Sequence, residues 1–164
     1  MKMTVNEELT LLSESPERTL ALGEALGRAL QGGDVVALRG DLGAGKTWLT
    51  KGIAAGVGVA AEEVTSPTFV LMHIYEGRVR VAHFDAYRLR SAGEMLDLGA
   101  EEAFFGAGAA VVEWADRVEG ALPEDRLDIE MSVAGERSRQ IVARARGARG
   151  RRLLAALAGA GGVI

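Results

Sequence analysis

The apolar positions of this chain recur at two spacings, and turn-forming residues mark where one spacing gives way to the other. Residues 3–12 make a predicted strand. SESPERT follows, with Ser15 as helix N-cap, Pro16 at the first helical position and acids in the first turn. The helix it opens is expected to run to about Leu30, because Leu22, Leu26, Ala29 and Leu30 repeat at helical spacing and build one buried face, although Gly23 and Gly27 weaken it. Gln31, Gly32 and Gly33 stop it. DVVALR, residues 34–39, is a short apolar run bounded by turn signals, the pattern of a strand covered on both faces. A second helix is expected from Lys46 to about Ala55, closed by Gly56 and Gly58.

The middle of the chain changes texture. TSPTFVLMHIYEGRVRVAHFDAYRL, residues 65–89, contains two β-rich runs around Glu76-Gly77-Arg78, which predicts an antiparallel hairpin with Gly77 at its tip. Residues 91–105 read as helical, capped by Ser91 and broken at Gly99, and AAVVEW, residues 109–114, reads as a buried strand ending in an acid. RLDIEMSV and RSRQIVARA flank Ala134-Gly135-Glu136 as a second hairpin, and a short helix is expected around Leu153 to Leu157. No repeat, linker or low-complexity segment interrupts this order. Residues 1–164 are therefore expected to form a single domain of α/β class, a mixed β-sheet flanked by helices with antiparallel hairpins.

Composition narrows the chemistry. The chain of 164 residues has no cysteine, which excludes disulfides, thiolate chemistry and Cys-ligated zinc and suits a reducing compartment. The N-terminus, MKMTVNEELTLLSES, is too polar for a signal peptide, so the expectation is a cytoplasmic protein. The apolar stretches near 107 and at 153–164 fall short of the roughly 20 residues a membrane span needs, and no membrane role is expected. A net charge of −4 argues against a surface that clings everywhere to nucleic acid, without excluding a local basic patch.

The strongest chemical signal is GDLGAGKT. Residues 40–47 fit G-x-x-x-x-G-K-[ST], after a predicted strand and before a predicted helix, which is the setting a phosphate-binding loop requires. Gly40, Asp41, Leu42, Gly43, Ala44, Gly45, Lys46 and Thr47 are the expected nucleotide-binding residues. Glycine lets successive backbone N–H groups turn toward phosphate oxygens, and the next helix adds its positive end. Lys46 is one of three lysines in the chain and would reach the β- and γ-phosphates, with the Thr47 hydroxyl placed for Mg²⁺. Asp85 and Glu113, each at a predicted strand end, are the candidate acids; either suits the metal and the other the attacking water, and spacing does not separate the roles. His83 shares a strand face with Asp85 and is expected to support the site rather than ligate.

Taken in order, GDLGAGKT, SPTF at 66–69, HFDAYRL at 83–89 and VEWADR at 112–117 resemble the TsaE (formerly YjeE) family, bacterial P-loop ATPases required for threonylcarbamoyladenosine modification of tRNA. The resemblance implies a P-loop NTPase-like fold that binds ATP through Gly40 to Thr47, with Thr47 and Glu113 around Mg²⁺. It also implies that Asp85 is the Walker-B-like acid, Thr68 belongs to a switch-like segment sensing the γ-phosphate, Trp114 lies beside the site and Thr19 near the nucleotide. The implied partners are TsaD and TsaB, with tRNA reached indirectly through their complex, which ATP hydrolysis would reset. Two departures stand out: Trp48 follows the loop threonine where the family usually has a small hydroxyl residue, and Gly106 and Ala107 replace acids after the Phe104-Phe105 pair.

Other readings remain open at this point. A small-molecule kinase would need an acceptor pocket and an arginine-bearing lid, and no separate lid segment is visible. An ATP-sensing module that does not hydrolyse would lock partners together. Arg88 and Arg90 lie near Asp85 in the sequence, but nothing in the sequence shows either reaching a phosphate. RARGARGRR, residues 144–152, carries five arginines without aromatic platforms, so a solvated or frayed stretch competes with direct tRNA binding.

Overall fold

The computed structural model describes residues 7–41, 43–65 and 71–161. Leu42, Thr68 with the rest of SPTF, and the start of the first expected strand lie outside them. Seven strands form one mixed sheet: β1 (Glu8–Ser13), β2 (Val35–Arg39), β3 (Met72–Glu76), β4 (Arg80–Asp85), β5 (Ala109–Glu113), β6 (Arg126–Val133) and β7 (Arg139–Arg146). Their order across the sheet is β1-β7-β6-β2-β5-β4-β3. The four central strands β6, β2, β5 and β4 run parallel, and the hairpin strands β3 and β7, with β1 beyond β7, add antiparallel pairs at the edges.

The helices are α1 (Pro16–Ala29), α2 (Lys46–Gly56), α3 (Ala92–Asp97), α4 (Ala100–Phe105) and α5 (Gly147–Gly161). Local signals set most of their ends. Ser15 Oγ accepts from the Arg18 N–H and Pro16 opens α1, while Ser91 Oγ accepts from the Glu94 N–H at α3. Gly99, at φ 85°, breaks the 91–105 segment into α3 and α4. The missing alternation in β2 has its cause in two covers. Val36 and Leu38 pack into a core with α1, α2 and α5, whereas Val35 and Ala37 join a second core with Phe84, Met95, Phe104 and Val118.

Two expectations require correction. The C-terminal helix expected around Leu153 to Leu157 is longer, 15 residues, because it begins directly at the end of β7 and packs Leu153, Leu154 and Leu157 into the first core. β5 ends at Glu113 rather than Trp114, which takes a left-handed conformation (φ 58°).

The glycines that weaken α1 have a packing role. α1 and α2 lie parallel with Gly23 against Gly52 and Gly27 against Gly56. A Cβ on Gly52 would stand 2.1 Å from the Leu20 carbonyl oxygen, and one on Gly27 2.2 Å from that of Ile53. No side chain fits there. Gly52→Ala is therefore expected to cost about 1–3 kcal/mol or more through forced separation of backbones. Gly159→Ala, where a Cβ meets nothing within 4 Å in α5, should instead raise stability by up to about 1 kcal/mol. Chemical denaturation of both variants checks the pair; a neutral Gly52→Ala would contradict the close crossing.

Candidate functional site

The chain leaves β2 at Arg39 and turns through residues 40–45 into α2. Gly40 has φ 147°, and a Cβ there would lie 2.5 Å from the Met131 carbonyl oxygen of β6, so the neighbouring strand excludes any side chain. Gly45, at φ 101°, occupies the N-cap position, and no side chain caps α2 and no acid stands in its first turn. The first N–H groups and the positive helix end are thus left for an external anion.

Lys46 opens α2 and is buried to 6 % exposure. Its Nζ donates to the carbonyls of Gly40 (2.5 Å) and Asp41 (3.0 Å) and lies 4.3 Å from the Trp114 ring centroid. Burial pushes the ammonium below the ordinary lysine range, while Glu113, Asp85, Asp41 and Asp116 pull it back up. An arriving phosphate would add to that upward pull and favour the charged form.

Both candidate acids are where parallel strands end. Asp85 and Glu113 are direct partners in the β4–β5 ladder, and Glu113 is level with Leu38 of β2, two residues before Gly40. Each is 4 % exposed. Asp85 Oδ1 accepts from the Tyr87 N–H at 2.9 Å, and Glu113 Oε2 accepts from His83 Nε2 at 2.5 Å. His83 thus supports Glu113 rather than the acid it precedes by two residues.

A cleft of about 380 Å³ joins these groups. Its lining comes from Gly43 to Trp48, from Asp85, Tyr87, Glu113 and Trp114 at and beyond the ends of β4 and β5, and from Pro16, Thr19, Arg137 and Arg139. Gly40 and Asp41 accept from Lys46. Leu42 and Thr68 lie outside the described residues. The Thr19 hydroxyl is engaged with Ser13 Oγ (2.7 Å) and the Ser15 carbonyl (3.3 Å) at the start of α1. The left-handed backbone of Trp114 accompanies a ring whose centroid lies 4.9 Å from that of Tyr87, with the two planes tilted by 54°. Trp48 is 42 % exposed on the cleft rim, with the Lys51 ammonium 5.1 Å from its ring, so it neither packs under α2 nor fills the site.

The arginines that line the cleft are not the two near Asp85 in the sequence. Arg88 and Arg90 are exposed and do not line it, whereas the β6–β7 hairpin brings Arg137 and Arg139 to it. Arg139 donates to the carbonyls of Gly43 (3.2 Å), Gly135 (3.2 Å) and Ser138 (2.8 Å), and Arg137 pairs with Glu17 (2.8 Å). Only the adjacency of β6 to β2 reveals them. The arginine-rich stretch is not frayed: it spans the end of β7 and the start of α5, and every arginine in it meets a carboxylate. Arg144 pairs with Glu8, Arg146 with Asp128, Arg151 with Glu7, and Arg149 and Arg152 both hold the fully buried Asp34. Paired in this way, the stretch offers little unbalanced charge to a polynucleotide.

Among the described residues no group of three or more His, Asp or Glu is arranged to hold a metal by itself. Mg²⁺ takes one or two protein ligands and completes its shell with phosphate and water. A Thr47 hydroxyl and two buried carboxylates beside an anion-binding loop fit such an ion.

The chain is similar to known proteins over most of its length. The family model described as threonylcarbamoyl adenosine biosynthesis protein TsaE matches residues 13–141. A Treponema pallidum protein named tRNA threonylcarbamoyladenosine biosynthesis protein TsaE is 44 % identical over 130 residues, covering 79 % of this chain and 96 % of its own. The Bacillus subtilis protein of the same name is 41 % identical over 136 residues, covering 82 % and 84 %. The crystal structure of Bacillus subtilis YdiB superposes with a TM-score of 0.79 at 35 % identity, covering 96 % of this chain and 98 % of that one.

With two tryptophans in the chain, Trp48→Phe leaves Trp114 as the only indole. Its emission is expected to change on addition of MgATP, as Lys46 moves from the loop carbonyls, and Trp114→Phe is expected to lose that change. A silent Trp48→Phe protein that still binds nucleotide would contradict the Lys46–Trp114 contact.

Proposed function

Because the chain belongs to the threonylcarbamoyl adenosine biosynthesis protein TsaE family, we propose that its cleft binds ATP with Mg²⁺ and hydrolyses it, slowly alone and faster with TsaB and TsaD. A role in threonylcarbamoyladenosine biosynthesis and the binding of a nucleotide come with that membership. The ATPase activity, the metal and the named partners are the proposal, as is the view of residues 1–164 as one P-loop ATPase domain. No helix among the described residues is long and apolar enough to cross a membrane, and the proposed setting is the cytoplasm, with tRNA reached through the partner complex.

The observation that carries the reading is a buried lysine at an uncapped helix start, next to two buried carboxylates. In it, the backbone N–H groups of residues 43–47 receive the β- and γ-phosphates, and Lys46 exchanges the Gly40 and Asp41 carbonyls for phosphate oxygens. Thr47 and Glu113 hold the metal, and Asp85, as the Walker-B-like acid, orients water beside it. Bound there, Mg²⁺ would neutralise charge developing on the transferred phosphoryl group. Thr68 senses the γ-phosphate.

Slow hydrolysis alone has a physical basis. Arg137 and Arg139 stand in the cleft wall but are engaged by Glu17 and by loop carbonyls, so neither serves as a pre-set finger for the transition state. Hydrolysis driven by the partner complex would then reset that complex between turnovers.

Mg²⁺-dependent ATP hydrolysis should be measured with the protein alone and with TsaB and TsaD added. Stimulation by the pair is expected, and Lys46→Ala is expected to lower it by on the order of 10²-fold, the loss seen when a transition-state charge donor is removed. Absence of stimulation, together with phosphate transfer to a small metabolite, would replace this reading with a kinase.

A further inference from the structure

Behind Glu113 lies a line of buried polar groups that never reaches the cleft. His83 is fully buried on β4, and its Nε2 is 2.5 Å from Glu113 Oε2. Its Nδ1 lies 3.3 Å from the Tyr75 hydroxyl of the edge strand β3, with the two rings 5.9 Å apart. Tyr75 is 7 % exposed, and its hydroxyl is also 3.4 Å from the Thr65 carbonyl oxygen and 3.5 Å from His73 Nδ1. A carboxylate only accepts, so the proton facing Glu113 is on His83 Nε2, and the Tyr75 hydroxyl sits between His83 Nδ1 and the Thr65 carbonyl. Burial raises the Tyr75 phenol above its usual value, which keeps it a donor.

We infer that His83 is a positioning residue for Glu113 and that Tyr75, outside the cleft, fixes the imidazole that does it. The inference rests on the proposed role of Glu113 at Mg²⁺. With Oε2 held from behind, the carboxylate loses rotational freedom and presents its remaining acceptor capacity toward the cleft that it lines. Polar partners behind a ligating carboxylate are worth about 10–100-fold in metal affinity. The consequence is specific. Loss of the Tyr75 hydroxyl weakens the metal-dependent part of nucleotide binding and leaves the metal-free part alone, because the P-loop and Lys46 do not touch this line.

The test is the affinity for a fluorescent ATP analogue in EDTA and across a Mg²⁺ titration, with the thermal midpoint recorded for each variant. Tyr75→Phe, which keeps the ring and its packing, is expected to raise the Mg²⁺ midpoint about 10-fold while the affinity in EDTA stays at the wild-type level. His83→Gln, which retains an N–H toward Glu113, should lie closer to wild type than His83→Leu. Should His83→Leu fail to fold, Tyr75→Phe decides by itself. Equal losses with and without Mg²⁺ would make the line merely structural and overturn the inference. So would wild-type midpoints in Tyr75→Phe while Glu113→Gln raises its own. An unchanged midpoint in Glu113→Gln would overturn the metal reading of Glu113, and this inference with it.

Discussion

The close approach of α1 to α2 is the constraint on which the cleft depends. Gly23 faces Gly52 and Gly27 faces Gly56, so the two helices run parallel in one register, backbone against backbone. Parallel packing brings both helix starts to the same end of the molecule, and Pro16 and Thr19 of α1 face the loop that precedes α2. The uncapped start of α2 then lies beside the start of α1, which Ser15 caps. Each glycine lowers intrinsic helix propensity by up to about 1 kcal/mol relative to alanine, and the close crossing is what that local weakness makes possible.

The acids of the site depend on a second constraint, the parallel order β2-β5-β4. Strands running in one direction end at one edge, where loops can converge on a ligand. Asp85 and Glu113 are neighbours there because their strands are paired in register, and Lys46 comes to them because β2 lies beside β5. Two nearly buried carboxylates stand beside one buried ammonium in this cleft. Their oxygens, close to where the phosphates would lie, are the reason a cation is proposed at the same place as an anionic nucleotide.

Opposite that edge, the basic C-terminal stretch follows a different logic. Arg149 and Arg152 converge on Asp34, a carboxylate without solvent access whose other oxygen accepts from the Gln31 N–H. They fasten α5 to the entry of β2. A buried carboxylate needs such partners, since its desolvation is costly unless it is paired. The basic run is thereby part of the scaffold that holds the strand leading into the loop.

Much of this was legible along the chain wherever the interacting groups are near one another in sequence. The cap of α1 at Ser15, the break at Gly99, the hairpin at Gly77 and the spacing from Gly40 to Thr47 are set by a few consecutive residues, whose local geometry the chain itself dictates. The acids at strand ends were visible as candidates, but their adjacency was not. Residues far apart in the chain meet only through strand order and helix crossing. The choice of Arg137 and Arg139 over Arg88 and Arg90, the support of Glu113 by His83, the pairing of Asp34 with α5 and the glycine contact of α1 with α2 all depend on that. Sequence determined which groups could bind phosphate, because a backbone loop carries its own geometry. Tertiary structure decided which charges face that loop, because those distances are set by packing between elements rather than by the covalent chain.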